Sequence, residues 1–139
     1  TPHSGELSRL LGRLGVDLSR EKIEADREGA AMLAAELTGQ TILLKGNRSV
    51  LAVGSQAKAL PAAPAALATA GTGDVLAGVL GALIAANFDA LGKAELSLAD
   101  IVEGAVALHS AAAESIQGPI AALDLTNEIQ KLVGQSLEN

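Results

Sequence analysis

No cysteine, tryptophan or tyrosine occurs among the 139 residues, and phenylalanine occurs once. The first absence excludes disulfides and thiolate metal sites. The near-absence of aromatics removes the side chains that bury the most apolar area each. The core must therefore come from Leu, Ile, Val and abundant Ala. Small side chains let helices approach closely but bury less area per residue. Such a domain implies further packing partners, either subunits or additional chain. There is no basic excess: Lys and Arg number 10 against 16 Asp and Glu, for a net charge of -6. That balance argues against nucleic acid as a partner and against an anionic membrane surface. Gly, Thr and Asp interrupt the longest apolar stretches, so no run has the roughly 18 residues of a membrane-spanning helix. The start, Thr1-Pro2-His3, has neither an initiating Met nor the pattern of a signal peptide. It reads as the start of an excised or processed piece, with a cytoplasmic location expected.

What is present is 49% hydrophobic, enough for the core of one domain. Leu7, Leu10, Leu11 and Leu14 recur at helical spacing and predict a helix over about 5–14, with Ser4 as N-cap. A second helix is predicted over 19–37, closed by Gly39. Residues 41–44 and 49–53 read as strands around a Lys45–Arg48 turn, and a weaker strand follows near 57–60. Pro61 and Pro64 mark an irregular Ala-rich loop. Helices follow over about 74–86, 98–116 and 125–137, with a loop over 89–96. Ser97 with Asp100 forms a capping box, and Asp124 is the expected N-cap of the last helix. Three strands are too few to cover these helices, which places further strands upstream of Thr1 in a parent protein.

Three segments carry possible chemistry. In Ala68-Thr69-Ala70-Gly71-Thr72-Gly73-Asp74-Val75-Leu76-Ala77-Gly78, two glycines flank a threonine just before a long apolar helix. Glycines let successive N–H groups turn toward one point, and a helix start leaves such donors unsatisfied in a field that favours anions. That is a phosphate site, beside which Asp74 can accept a proton from an attacking hydroxyl. The same residues also read as a loop glycine pair and an ordinary helix-start Asp. Leu44-Lys45-Gly46-Asn47-Arg48-Ser49 lies at a strand end, where open α/β sheets bind ligands, and it also reads as a solvated turn. In Thr1-Pro2-His3-Ser4-Gly5-Glu6, His3 reads either as a binding residue or as a helix cap. His109 falls beside the buried stripe of its helix and reads as structural, and two histidines at this separation make no zinc site.

Taken in order, these three segments resemble the ADP-dependent NAD(P)H-hydrate dehydratase family of the ribokinase superfamily. The matches are Thr1-Pro2-His3-x-Gly5-Glu6, Leu44-Lys45-Gly46 and Ala68 through Gly78. The resemblance implies an α/β fold, a ribokinase-like three-layer α/β/α sandwich present as its C-terminal half. It implies dehydration of hydrated NAD(P)H driven by ADP or ATP with Mg2+: the hydroxyl is phosphorylated, then phosphate is eliminated. Asp74 would be the base and would also contact the hydrate, while Gly71, Thr72 and Gly73 would stabilise the transferring phosphoryl group. Lys45, Gly46, Asn47, Arg48 and Ser49 match the stretch that contacts the AMP part of the nucleotide, and His3 matches a residue near the hydrated nicotinamide. No metal-ligating side chain is assigned, and a homo-oligomer is expected.

The sequence departs from the family at Ala62-Ala63-Pro64-Ala65-Ala66-Leu67, where a Gly-Asn-Pro-Gly-Met run is frequent. Ser49 stands where threonine is common. Two other readings stand beside the dehydratase: a sugar or hydroxymethylpyrimidine kinase of the same superfamily, and an inactive nucleotide-binding or oligomerisation piece.

Overall fold

The computed structural model describes residues 1–137. It divides into two compact units, Thr1–Ala63 and Pro64–Asn139.

The first unit packs three helices and a small sheet. Helix α1 spans Ser4–Arg13, α2 spans Arg20–Ala25 and α3 spans Arg27–Thr38. Strands β1 (Ile42–Leu44), β2 (Arg48–Val53) and β3 (Gln56–Ala62) form an antiparallel sheet in the order β1-β2-β3. The single helix expected over 19–37 is broken at Asp26. Its backbone leaves the helical region at φ -139° and ψ 77°, and its carboxylate accepts from Gly29 N–H at 2.9 Å. An Asp that caps a new helix competes with continuation of the old one. The break puts Arg27 at the first position of α3. The N-cap of α1 is His3 rather than the expected Ser4, and Ser4 is buried as the first helical residue.

The core of this unit is built from Leu7 and Leu11 of α1, Ile23 of α2, the Ala30, Ala31, Ala34 and Ala35 face of α3, and Ile42, Leu44, Val50 and Ala52 of the sheet. Burying each large aliphatic side chain contributes about 1.5–3 kcal/mol. The four alanines let α3 lie close on β1 and β2. Leu43 and Leu51, which alternate onto the opposite face of the sheet, are buried as well. Gly54-Ser55 makes a two-residue hairpin turn, with Gly54 at φ +55°. Strand β3 runs on through Pro61, which the sequence places in a loop. Between Arg48 and Val50 of β2 the partners step from Ala62 to Ala59, so β3 carries one extra residue. Such a bulge tolerates a proline, because the missing N–H costs no ladder bond there.

The second unit is helical. After a 3-10 turn over Ala65–Ala68 come α4 (Thr72–Ala86), α5 (Phe88–Gly92), α6 (Leu98–Ser115) and α7 (Ala122–Leu137). The expected loop over 89–96 thus contains a short helix. Helix α4 starts two residues earlier than the periodicity indicates, because Gly71 at φ +87° sets its entry. Helix α7 also starts earlier, and Asp124 is its third residue rather than its N-cap. The capping box at Ser97 and Asp100 forms as expected. Ala112, Ala113, Ile120 and Leu125 make a core between α6 and α7, flanked by Val75 of α4. Among the described residues, no helix is long and apolar enough to cross a membrane.

Candidate functional site

The segment around His3 and the segment around Lys45 lie side by side in the first unit. Lys45 N–H donates to Pro2 O at 2.8 Å, and His3 and Lys45 form a parallel bridge at the end of β1. The chain before α1 therefore acts as a short extra strand against β1. His3 Nδ1 accepts from Gly5 N–H at 3.0 Å and Glu6 N–H at 3.2 Å, while Glu6 Oε2 accepts from His3 N–H at 2.7 Å. This is a capping box with imidazole in place of a hydroxyl. An accepting Nδ1 puts the proton of the neutral ring on Nε2. The cap thus leaves Nε2–H, on an exposed ring and 3.6 Å from Glu6 Oε1, as the group His3 can offer a ligand. Lys45 Nζ lies 3.9 Å from Glu6 Oε2, so the two segments also share a charge contact.

The turn beyond Lys45 is held from below. Arg27 Nη2 donates to Leu44 O at 3.1 Å and to Lys45 O at 3.0 Å, and Nη1 donates to Glu24 Oε2 at 2.8 Å. Ser49, buried at the start of β2, donates its hydroxyl to Gly46 O at 3.5 Å. Glu24, Arg27, Gly46, Asn47 and Arg48 line a cleft of about 420 Å3. Arg27 and Glu24 were not among the residues singled out from the sequence. Only the helix break at Asp26, itself unread, signals that Arg27 leaves the solvated face of a long helix.

Gly71, Thr72, Gly73 and Asp74 lie in the second unit. The Thr72 hydroxyl is buried and shares its proton between Leu67 O at 2.7 Å and Thr69 O at 2.8 Å. It ties the start of α4 to the turn before it. Thr72 N–H faces Thr69 O at 3.4 Å, and Asp74 N–H bonds Gly71 O at 3.1 Å. No side chain caps this helix. Behind the turn, buried His109 of α6 donates from Nε2–H to Thr72 O at 2.9 Å. His109 is thus a structural clamp on the first residue of α4.

The position of Asp74 separates it from the other helix-start acids. Four helices carry an acid at their third residue: Glu6, Asp74, Asp100 and Asp124. Three of these accept from the N–H that precedes their helix: Glu6 from His3 at 2.7 Å, Asp100 from Ser97 at 2.9 Å and Asp124 from Ala121 at 2.7 Å. Asp74 makes no such bond, and among the described residues it has no ion-pair partner. It is exposed, with both carboxylate oxygens available.

Three titratable groups tie this geometry to pH. The Glu6 carboxyl is held below its ordinary range, first by the His3 N–H and then, against some burial, by the Lys45 charge. The Glu24 carboxyl is held low first by the Ser4 hydroxyl and then, against burial, by Arg27. Burial holds the His109 imidazole below 6.5, against the Thr72 carbonyl bond, which favours its proton. In all three cases the unfolded chain binds more protons, so stability rises with pH across each window. His109 contributes a loss that begins as pH falls through about 6.5, and the glutamates contribute one that begins near 4.3. Thermal melts against pH should show both steps. His109→Gln should flatten the upper one, and Glu6→Gln with Glu24→Gln the lower.

A family model described as NAD(P)H-hydrate dehydratase matches residues 1–133. The bifunctional NAD(P)H-hydrate repair enzyme of Mycobacterium tuberculosis is 44% identical over 88 residues, 63% of this chain and 17% of that protein. The ADP-dependent (S)-NAD(P)H-hydrate dehydratase of Neisseria meningitidis is 37% identical over 86 residues, 61% of this chain and 27% of that protein. Among solved structures, the ADP/ATP-dependent NAD(P)H-hydrate dehydratase of Bacillus subtilis, co-crystallised with ATP and Mg2+, superposes with a TM-score of 0.78 at 26% identity. That match covers 96% of this chain and 46% of the other, so the chain spans less than half the length of its solved relative and a smaller share of the curated ones. The α/β, ribokinase-like fold expected from the sequence is the fold of these dehydratases over that shared stretch. With its motifs in place and the family match running over residues 1–133, the chain belongs to the NAD(P)H-hydrate dehydratase family.

Proposed function

We propose that the protein removes water from hydrated NAD(P)H at the expense of ADP or ATP, and that its two units are parts of one ribokinase-like catalytic domain. The observation that carries this reading is the free carboxylate of Asp74 at the uncapped, glycine-opened start of α4. A helix start with available N–H groups receives phosphate oxygens, and a carboxylate left out of capping is available to a proton.

In the proposed reaction the hydroxyl of the hydrate attacks the terminal phosphorus of the nucleotide and passes its proton to Asp74. The bond to the leaving nucleotide breaks, giving AMP from ADP or ADP from ATP. The phosphorylated carbon then loses phosphate, a far better leaving group than hydroxide, and loss of a neighbouring ring proton restores the double bond. Gly71, Thr72 and Gly73 offer backbone N–H groups to the phosphoryl oxygens. The Lys45–Ser49 segment (Lys45, Gly46, Asn47, Arg48 and Ser49) holds the AMP part, and His3 Nε2–H meets the hydrated nicotinamide. Mg2+ bound with the nucleotide would neutralise phosphate charge. The proposed setting is the cytoplasm. The exposed Phe88, Leu123 and Val133 give a second copy apolar surface to cover in a homo-oligomer.

Incubating the full-length parent protein with hydrated NADH, Mg2+ and ADP or ATP, and following the return of nicotinamide absorbance, tests the activity; the 139-residue chain alone is expected to be weak or inactive. Recovery that depends on nucleotide is the expected result. Phosphorylation of a sugar or hydroxymethylpyrimidine without recovery would replace the reading with the kinase. Nucleotide binding without either reaction would replace it with the inactive binding piece.

A further inference from the structure

The Arg27 guanidinium makes three hydrogen bonds within the chain. One nitrogen bridges two successive carbonyls, Leu44 O and Lys45 O, and the other is paired to Glu24. These carbonyls are the last of β1 and the first of the turn, so a planar, charged fork is fastened across the point where the strand ends. The Ser4 hydroxyl, next to His3 in the chain, helps hold the Glu24 carboxyl in its charged form. Gly46 completes the arrangement. A Cβ there would lie 2.5 Å from Arg27 Nη2 and 2.9 Å from its Cζ, so any side chain at this position displaces the guanidinium from its place. The hydrogen bonds run from Glu24 through Arg27 to the backbone of Leu44 and Lys45.

We propose that Arg27, oriented by Glu24 and seated against Gly46, is a positioning residue that holds the Lys45–Arg48 turn in its nucleotide-binding shape. The inference rests on the proposed assignment of that turn to the nucleotide. Arg27 adds no new charge to the nucleotide. It fixes the path of the backbone from which Lys45, Asn47 and Arg48 project.

The test is a set of variants whose affinity for ADP with Mg2+ is measured by calorimetry, alongside KM, kcat and melting temperature. All binding is measured well below each variant's melting point. Arg27→Ala should weaken ADP binding about tenfold or more, the scale of losing a charged hydrogen-bonding partner. KM for ADP should rise with it while kcat at saturating nucleotide changes little. Arg27→Lys, which keeps the charge but not the fork, should stay weaker than the parent. Gly46→Ala should weaken binding in the parent, because its methyl group displaces the guanidinium. In the Arg27→Ala background the same change should cost nothing further. That coupling separates positioning from a general loss of stability, and it keeps the test alive if Arg27→Ala fails to fold. Lys45→Ala separates the two levels of the reading. If it weakens ADP binding while Arg27→Ala, Arg27→Lys and Gly46→Ala leave it intact, the positioning role is overturned and the nucleotide assignment stands. If Lys45→Ala and the Arg27 variants all bind ADP normally, the nucleotide assignment itself falls.

Discussion

Asp74→Asn in the complete enzyme is expected to lower the proposed turnover of hydrated NAD(P)H by about 10²-fold or more, with nucleotide affinity and melting temperature nearly unchanged. The expectation follows from what Asp74 does not do. At the other helix starts with an acid in the third position, the carboxylate is consumed by the N–H before the helix. Removing one of those would uncap a helix and cost about 1 kcal/mol. Asp74 caps nothing. Its only local contribution is a charge near the positive end of α4, worth about 0.3–1 kcal/mol at an exposed site. Asn keeps the size and polarity of the side chain but cannot take a proton from a hydroxyl. The loss should therefore fall on kcat, with KM for ADP nearly constant. A variant that turns over at the parent rate would remove Asp74 from the chemistry. A variant that melts far below the parent would show a structural role that the geometry does not contain.

The contrast among these acids also shows what can be read before folding. Asp74 and Asp100 look alike in sequence, each sitting at a helix start before an apolar stripe. The Ser97 capping box was legible because it needs two polar side chains at a fixed spacing of three, each accepting from the other's backbone N–H. That Asp74 stays free was not, because it depends on the backbone angles of Gly71. The motif order nonetheless pointed to the α/β fold and to the family.

What was missed shares one cause, the competition between local polar bonds and regular periodicity. Asp26 interrupts a run whose apolar spacing suits one long helix. Imidazole takes the N-cap assigned to Ser4, although a helix cap was one of the two roles read for His3. Pro61 survives inside a strand because a bulge removes the need for its N–H. Arg27 lay hidden behind the first of these, since its partners are carbonyl oxygens 17 and 18 residues away. No side-chain pattern marks a backbone acceptor.

Gly71→Ala is expected to be the most damaging single-methyl change in the second unit, destabilising it by about 1–3 kcal/mol and lowering turnover as well. Two separate costs combine at this position. Its φ of +87° lies where L side chains are strained. A Cβ there would also sit 3.1 Å from the Cβ of Ala122. Ala122 is the first residue of α7, so its Cβ moves only with the helix backbone. Relief must come from shifting the start of α4, which carries Thr72, Gly73 and Asp74. A displacement of several tenths of an ångström there misaligns the N–H groups from phosphoryl oxygens they are meant to meet, and catalytic geometry is sensitive on that scale. Denaturant unfolding and turnover should both be measured, in the parent and in an Ala122→Gly background. Ala122→Gly opens the contact but leaves φ unchanged. It should therefore restore part of the turnover lost to Gly71→Ala and only part of the stability, since the backbone strain persists. Full restoration would assign the whole effect to the contact with α7. No restoration would assign it to the left-handed backbone alone.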